Sequence, residues 1–422
     1  MNLEYKHNHY VPEWYQRRFL LRDKTRCYYL DLRPETITNN GHTYTRRNLM
    51  QWGPAKCFAQ DDLYTTKWGN LENRDIEKFF FGPLDEKGQK AVELFSRFKF
   101  TEEINDAWQM LILYMSVQKL RTPKGLGWLQ QIIKSRNGNE TLIKLQKLQG
   151  MFCSIWGEAV WQIADAHLSP TKFIISDHPV VAYNRECFPG SKWCMGVNDP
   201  DIRYAATHTF FPLSSEKILI LTNLNWVRDP FQNPRKLRPN PNFFRPGGFF
   251  SLLDIQHERH LTEEEVLEIN YITKKRAFRY IAAAKKEWLY PEKYLRSMNW
   301  RKLGDGYLLM PDPRHIHGGG ETFVSFKDGR SAAWNEYGHK PWQDGYEDKK
   351  RQKHEWATML KFKSEWTATY GPEYRGVLYK GESENNTVRR NMENDWYQEE
   401  CKRDREYLKQ YGEKTRRRQL KR

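Results

Sequence analysis

His7 and His9 lie two residues apart in the stretch Lys-His-Asn-His-Tyr-Val-Pro. On an extended segment that spacing puts both imidazoles on one face. Such a pair can ligate a metal through its ring nitrogens, or His9 can serve as an acid or base, since imidazole titrates near neutrality. The same residues, with Tyr10 beside them, can equally be structural anchors of the N-terminus. Gln118 and Arg121 form a second polar set. Gln118 falls on the helical stripe Ile104, Trp108, Leu111, Met115, Gln118, Thr122, where a buried amide demands partners. Arg121 suits a helix C-terminus on charge grounds alone, and a guanidinium also binds phosphate or carboxylate bidentately. Asp177 and His178 come third, directly after the apolar run Phe173-Ile174-Ile175. Loops at strand ends are where sites tend to be built, although an aspartate before Pro179 also suits an Asx-type turn.

These residues define the candidate site. His9, Arg121 and Asp177 are the candidate catalytic residues, with Tyr10, Gln118, His178 and Asn270 as substrate-binding or supporting residues. Each is expensive to bury alone, so the three are expected to meet in one polar pocket, where Arg121 neutralises Asp177. His315-Ile316-His317 before Gly318-Gly319-Gly320 carries a weaker signal, a surface loop or an anion-binding turn. Walker A, G-x-S-x-G, H-E-x-x-H and G-x-G-x-x-G patterns are absent from the sequence. No metal ligand set is specified, and a divalent ion remains open as a cofactor. At the far end, Arg416, Arg417, Arg418, Lys421 and Arg422 are candidate nucleic-acid contacts, with Trp396, Tyr397, Tyr407 and Tyr411 upstream for stacking. Glu393, Asp395, Glu399, Glu400 and Glu406 are mixed in, so a solvated charged helix explains 393–413 equally well.

The elements that must position these side chains are legible in outline. Pro12 suits a first helical turn, and Cys27 to Leu32 reads as a strand before a turn at Asn39-Asn40-Gly41. Helical spacing runs from Ile76 to Leu94 and again from Thr101 until Pro123 ends it, with further helical segments over 126–148 and 151–166. Thr209 to Leu213 and Ile218 to Leu221 form a hairpin signal around Ser214-Ser215-Glu216-Lys217. Residues 229–250 are a long Pro/Asn/Gly loop, and Thr262-Glu263-Glu264-Glu265 is a capping box opening a helix to about Ala284. Helices, then strands, then a helix give an α+β fold: a helix-rich N-terminal domain with a small, mostly antiparallel sheet, plus a basic helical C-terminal extension. The domain boundary falls near 288. Residues 289–422 are basic, aromatic- and charge-rich, with a charged helix starting at Lys349-Lys350-Arg351-Gln352-Lys353 and a tail from about 412.

Composition sets the outer bounds. The chain has 422 residues, 39% hydrophobic and 29% charged, which is globular rather than disordered. The formal net charge of +16 draws polyanions, nucleic acid first. The six cysteines are scattered and form no C-x-x-C pair, so neither a zinc ribbon nor a secreted disulfide scaffold is indicated. No apolar run approaches the ~20 residues that a membrane span takes, and the N-terminus carries no apolar leader, so a cytoplasmic protein is expected.

His9-Tyr10-Val11-Pro12 with Tyr15 and Phe19, Leu63-Tyr64, Glu77, Gln118 to Pro123, Phe173 to Pro179, Phe211 to Ser214, and Asn270 with Ala277 and Arg279 occur in that order. In this series the first 285 residues or so resemble a largely bacterial family known as domain of unknown function 4238. The resemblance implies a domain boundary and no established activity. Two functional readings follow from the residues. One is an enzyme acting on nucleic acid by metal-assisted phosphodiester hydrolysis, in a setting of bacterial defence, with Arg121 on phosphate. The other is a non-enzymatic nucleic-acid- or protein-binding module whose polar motifs are structural. Convergence of His9, Arg121 and Asp177 favours the first, and their dispersal the second.

Overall fold

The strand Val160–Asp165 reads Val-Trp-Gln-Ile-Ala-Asp, and all of it is buried. It belongs to a five-stranded sheet ordered Val181–Tyr183, His208–Pro212, Lys217–Thr222, Val160–Asp165, Gln256–His260. The first four are antiparallel, and Gln256–His260 joins Val160–Asp165 in parallel. By spacing alone, 151–166 reads as a helix. The structure has a short helix there, Cys153–Gly157, and then the strand. An apolar run covered on both faces carries no alternation, so periodicity does not separate it from a buried helix. The structure is a computed structural model describing residues 7–39, 42–69, 71–98, 101–238, 252–316, 321–325, 329–335 and 339–378, together with Lys402 and Lys409. The candidate contacts Arg416, Arg417, Arg418, Lys421 and Arg422, and the Gly318-Gly319-Gly320 run, lie outside the described residues.

A second, antiparallel sheet is ordered Ile175–Ser176, Tyr280–Ala283, Cys27–Asp31, Leu49–Trp52. The capping box at Thr262 is present: the Glu265 amide donates to Thr262 Oγ1 at 3.3 Å and the Thr262 amide to Glu265 Oε2 at 2.9 Å. Its helix, Glu263–Arg276, is shorter than the spacing suggests, because Tyr280–Ala283 is needed as a strand. Against the sheets lie the helices Gly82–Arg97 and Ile104–Arg121. They approach closely at Gly88, where a Cβ would sit 2.4 Å from Cδ2 of Tyr114. The mixed α+β class holds, and no described helix is long and apolar enough to cross a membrane.

One apolar core joins Tyr10, Tyr15 and Phe19 to Tyr114, Trp161, Phe211 and Ile272, and includes Trp300, Leu303 and Leu309 from beyond residue 288. A second cluster packs Val160, Trp226, Val227 and Met310 against Met359, Phe362 and Trp366 of the long helix Lys349–Tyr370. The buried Arg259 fastens this C-terminal part to the sheet. It donates to Gln162 Oε1 (2.5 Å), to the Met310 carbonyl (2.5 Å) and to the Leu308 carbonyl, while pairing with Glu265 at 2.6 Å.

Candidate functional site

The N-terminal motif is clamped by polar side chains from the helical layer. Gln118 Nε2 donates to the Tyr10 carbonyl at 2.7 Å, and Gln118 Oε1 accepts from Arg121 Nε at 2.7 Å. Gln16 Nε2 donates to the carbonyls of Val11 (2.7 Å) and Cys57 (3.0 Å). Arg121, buried at 1% exposure, pairs with Asp85 through Nη1 at 3.0 Å and Nη2 at 2.8 Å. Its guanidinium lies 5.4 Å from the Phe81 ring centroid and 5.8 Å from that of Tyr114, and the Tyr64 hydroxyl donates to its carbonyl at 2.9 Å. Burial works against the Arg121 charge, and Asp85, Tyr114 and Tyr64 outweigh it, so the guanidinium holds its proton more tightly than usual.

Glu77 belongs to the same junction. It sits in the π-helical turn Ile76–Phe81, a wide turn that recurs at functional sites. Burial pushes its carboxyl up to about 7, with Arg121 opposing and Asp85 adding to the shift. Its Oε2 has no hydrogen-bond partner among the described residues. The arrangement is two acidic groups about one arginine, one of them half-protonated near neutral pH.

The three candidate catalytic residues are not joined to one another by any hydrogen bond or ion pair. His9 Nε2 is 3.8 Å from Glu13 Oε1, and burial lowers the pKa of its ring. His7 pairs instead with Asp61 at 2.8 Å, its ring edge-on to that of His9. Arg121 faces Asp85. Asp177 accepts three backbone N–H groups, from Phe278 (2.8 Å), Arg279 (2.6 Å) and Tyr280 (2.8 Å). Burial raises its pKa against the effect of those bonds. Tyr10 stands between the sets: its carbonyl takes Gln118, and its phenol is held protonated by burial and by the nearby Asp177 charge. Asn270 spans a loop, accepting from the Ile174 amide at 3.1 Å and donating to the Lys172 carbonyl at 2.9 Å.

His178 belongs to a buried cluster that the sequence reading did not assemble. Asp199 accepts from Lys119 (2.9 Å) and Lys124 (2.7 Å) and lies 3.2 Å from His178 Nε2. His178 Nδ1 is 2.7 Å from Thr122 Oγ1, which also accepts from the Gly125 amide, and Nε2 faces both the Asp199 carboxylate and, at 3.3 Å, Lys119 Nζ; with Nε2 protonated toward the carboxylate, Nδ1 accepts from the Thr122 hydroxyl. Burial, with Lys119 beside it, drives His178 down to about 3, and burial takes Lys124 down to about 8 against Asp199. Lys119 within Gln118 to Pro123 and Lys124 just after it are the available signal; nothing in the spacing points to Asp199, which arrives on the short strand Asp199–Pro200.

A different surface collects positive charge. The helix Lys349–Tyr370 starts at an Asp348 cap, whose side chain accepts from the Arg351 amide at 2.9 Å. Its inner face buries Met359, Phe362 and Trp366. Its outer face exposes Lys349, Lys350, Lys353 and Lys361 around Trp356, which is 53% exposed, and Leu360. Lys349, Lys353, Trp356 and Leu360 follow helical spacing along one stripe. Lys361 Nζ lies 4.2 Å from the ring centroid of the half-exposed Phe231. Six Lys and Arg against two Glu give this helix an excess of positive charge.

A family model described as protein of unknown function, DUF4238, matches residues 7–287, well over half of the chain. The protein belongs to that family. No curated protein and no solved structure matches it.

Proposed function

We propose that the protein is a nucleic-acid-binding module, with the family region serving as scaffold for the basic, aromatic outer face of the helix Lys349–Tyr370. The carrying observation is the pairing on one face of exposed lysines with the exposed Trp356, on a helix whose other face is rooted in the apolar core. Lysines neutralise phosphates and an exposed indole stacks on a base, so the face suits an unpaired strand best. The separate engagement of Arg121 with Asp85 and of Asp177 with three backbone N–H groups supports this non-enzymatic reading, because each of these two already has the partners that a structural role requires; His9 Nε2, 3.8 Å from Glu13, makes no such bond among the described residues. The test is fluorescence anisotropy of a labelled single strand at low salt. Replacing Lys349, Lys350 and Lys353 by Gln weakens binding at least tenfold. Trp356→Ala weakens single-strand binding more than duplex binding. Unchanged affinity in both variants overturns the assignment.

An enzymatic reading, hydrolysis of a phosphodiester with metal assistance, has one observation of its own: a Glu77 carboxyl near its midpoint at neutral pH beside the Arg121 guanidinium. That pairing has the composition of an acid/base group and an anion-binding group. Hydrolysis of labelled single-stranded DNA or RNA by wild type, lost in Glu77→Gln while the fold is retained, would establish it. Equal turnover by both removes it.

A further inference from the structure

The parallel pairing of Gln256–His260 with Val160–Asp165 sets His260 directly across from Asp165. The register slips between Gln256 and Arg259, and Glu258 within the slip has φ 55°, a left-handed conformation rare for a residue with a side chain. This bulge is what brings His260 to the level of Asp165. On the neighbouring strand the chain turns after Asp165: the His167 amide donates to Asp165 Oδ1 at 2.6 Å, and His167 Nδ1 lies 3.0 Å from the same oxygen. The loop is nailed down by Lys172, whose ammonium donates to the carbonyls of Ala166, His167 and Ser169, each at 2.8 Å. The His167 and His260 rings meet edge-on at 5.1 Å.

We propose that Asp165, His167 and His260 form a binding site for a zinc-class divalent cation. One ligand atom from each of the three lies within 4.8 Å of the other two. Around tetrahedral zinc, with bonds of about 2.0–2.1 Å, ligand atoms are about 3.3 Å apart. The Asp165–His167 distance meets that already, and both histidines are exposed, so a small ring rotation closes the third. Two imidazoles and a carboxylate suit zinc, whereas magnesium and calcium favour all-oxygen shells. A fourth position faces solvent and takes water. The present competitor is Lys217, whose ammonium contacts Asp165 Oδ2. It is partly exposed and on a flexible stem, so a cation of higher charge displaces it. The bound ion would staple the edge strand Gln256–His260, and with it Arg259, to the centre of the sheet. The site is independent of the nucleic-acid reading.

The experiment uses the full chain without a histidine tag, with zinc titrated against a chromophoric chelator and with thermal melting in parallel. Wild type is expected to bind zinc competitively with the chelator and to melt higher with zinc, since a ligand of the native state stabilises it. His167→Ala and His260→Ala each lose at least tenfold in affinity and the melting shift, while melting like wild type without zinc. Magnesium gives no shift. Lys217→Gln binds zinc more tightly, because the ammonium that competes for Asp165 is gone, an effect no merely structural role produces. Zinc affinity unchanged in both histidine variants, or weaker in Lys217→Gln, overturns the site. His7→Ala/His9→Ala serves as the control pair and keeps full zinc affinity. Loss of affinity there instead would assign the ion to the N-terminal histidines and overturn the proposal.

Discussion

Gln118 and Tyr10, 108 positions apart, are tied by a 2.7 Å bond from the Gln118 amide to the Tyr10 carbonyl, and the other end of the same amide holds Arg121. Gln118→Leu therefore orphans a buried carbonyl and a buried guanidinium N–H together. Each such loss costs about 1–3 kcal/mol, so the variant should lose on the order of 3 kcal/mol in urea unfolding. Arg121→Met should cost about 3 kcal/mol, the low end for breaking a buried pair, since it leaves Asp85 unpaired and only partly reached by solvent. Arg121→Met/Asp85→Leu should recover most of that loss. A double variant no better than the single would mean that the pair is not the unit.

Asp177 is predicted to be a stability residue. Asp177→Ala leaves three part-buried N–H groups of the Phe278 to Tyr280 turn without an acceptor. A loss of roughly 3 kcal/mol or more is expected, at about 1–3 kcal/mol per orphaned group. Calorimetry on the variant checks this. A native melting temperature with lost activity would return Asp177 to catalysis.

The Glu77 shift has a definite sign in pH. Its carboxyl titrates near 7 when folded and at the ordinary 4.5 when unfolded. Below 4.5 both states hold the proton. Between 4.5 and 7 the unfolded chain gives it up first, so native stability falls as pH rises, and above 7 the penalty is constant. Glu77→Gln removes this titration. The stability of the variant minus that of wild type should grow from pH 4.5 to 7 and then level off; a flat difference would show that Glu77 is not raised.

The family match ends at 287, yet Trp300, Leu303, Leu309 and Met310 lie in the cores, as do Met359, Phe362 and Trp366. A chain ending at 288 strips Arg259 of two carbonyl partners and uncovers the second cluster. It should aggregate or melt without cooperativity, whereas a chain ending at 378 should melt like the whole. A cooperative melt at the wild-type temperature for the 288-residue form would show that the later segment is an accessory.

Much of this was legible in the residues. The stripe from Ile104 to Thr122 is a helix with Gln118 inside, the capping box at Thr262 is made, and the hairpin around Ser214 closes as His208–Pro212 and Lys217–Thr222. What was lost is of one kind. Val160–Asp165 and Tyr280–Ala283 are covered on both sides, so neither shows the alternation that marks a strand, and by spacing alone both read as parts of helices. Without those strands the sequence gives no register, and register is what places His260 across from Asp165. The polar motifs were found, but their partners, Asp85, Asp199 and the Phe278–Tyr280 amides, are set by tertiary contact between distant segments, which spacing along a chain does not encode.

The central claim, nucleic-acid binding through the outer face of the helix Lys349–Tyr370, is tested most directly by the salt dependence of affinity. Each phosphate neutralised on a single strand contributes about 0.7 to the slope of log affinity against log salt. The variant with Lys349, Lys350 and Lys353 replaced by Gln should therefore bind with a slope shallower than wild type by about 2. A second variant, with Arg416, Arg417, Arg418, Lys421 and Arg422 replaced by Gln, separates the tail from the helix. Equal slopes for wild type and the helix variant, with the whole decrease in the tail variant, would contradict the account.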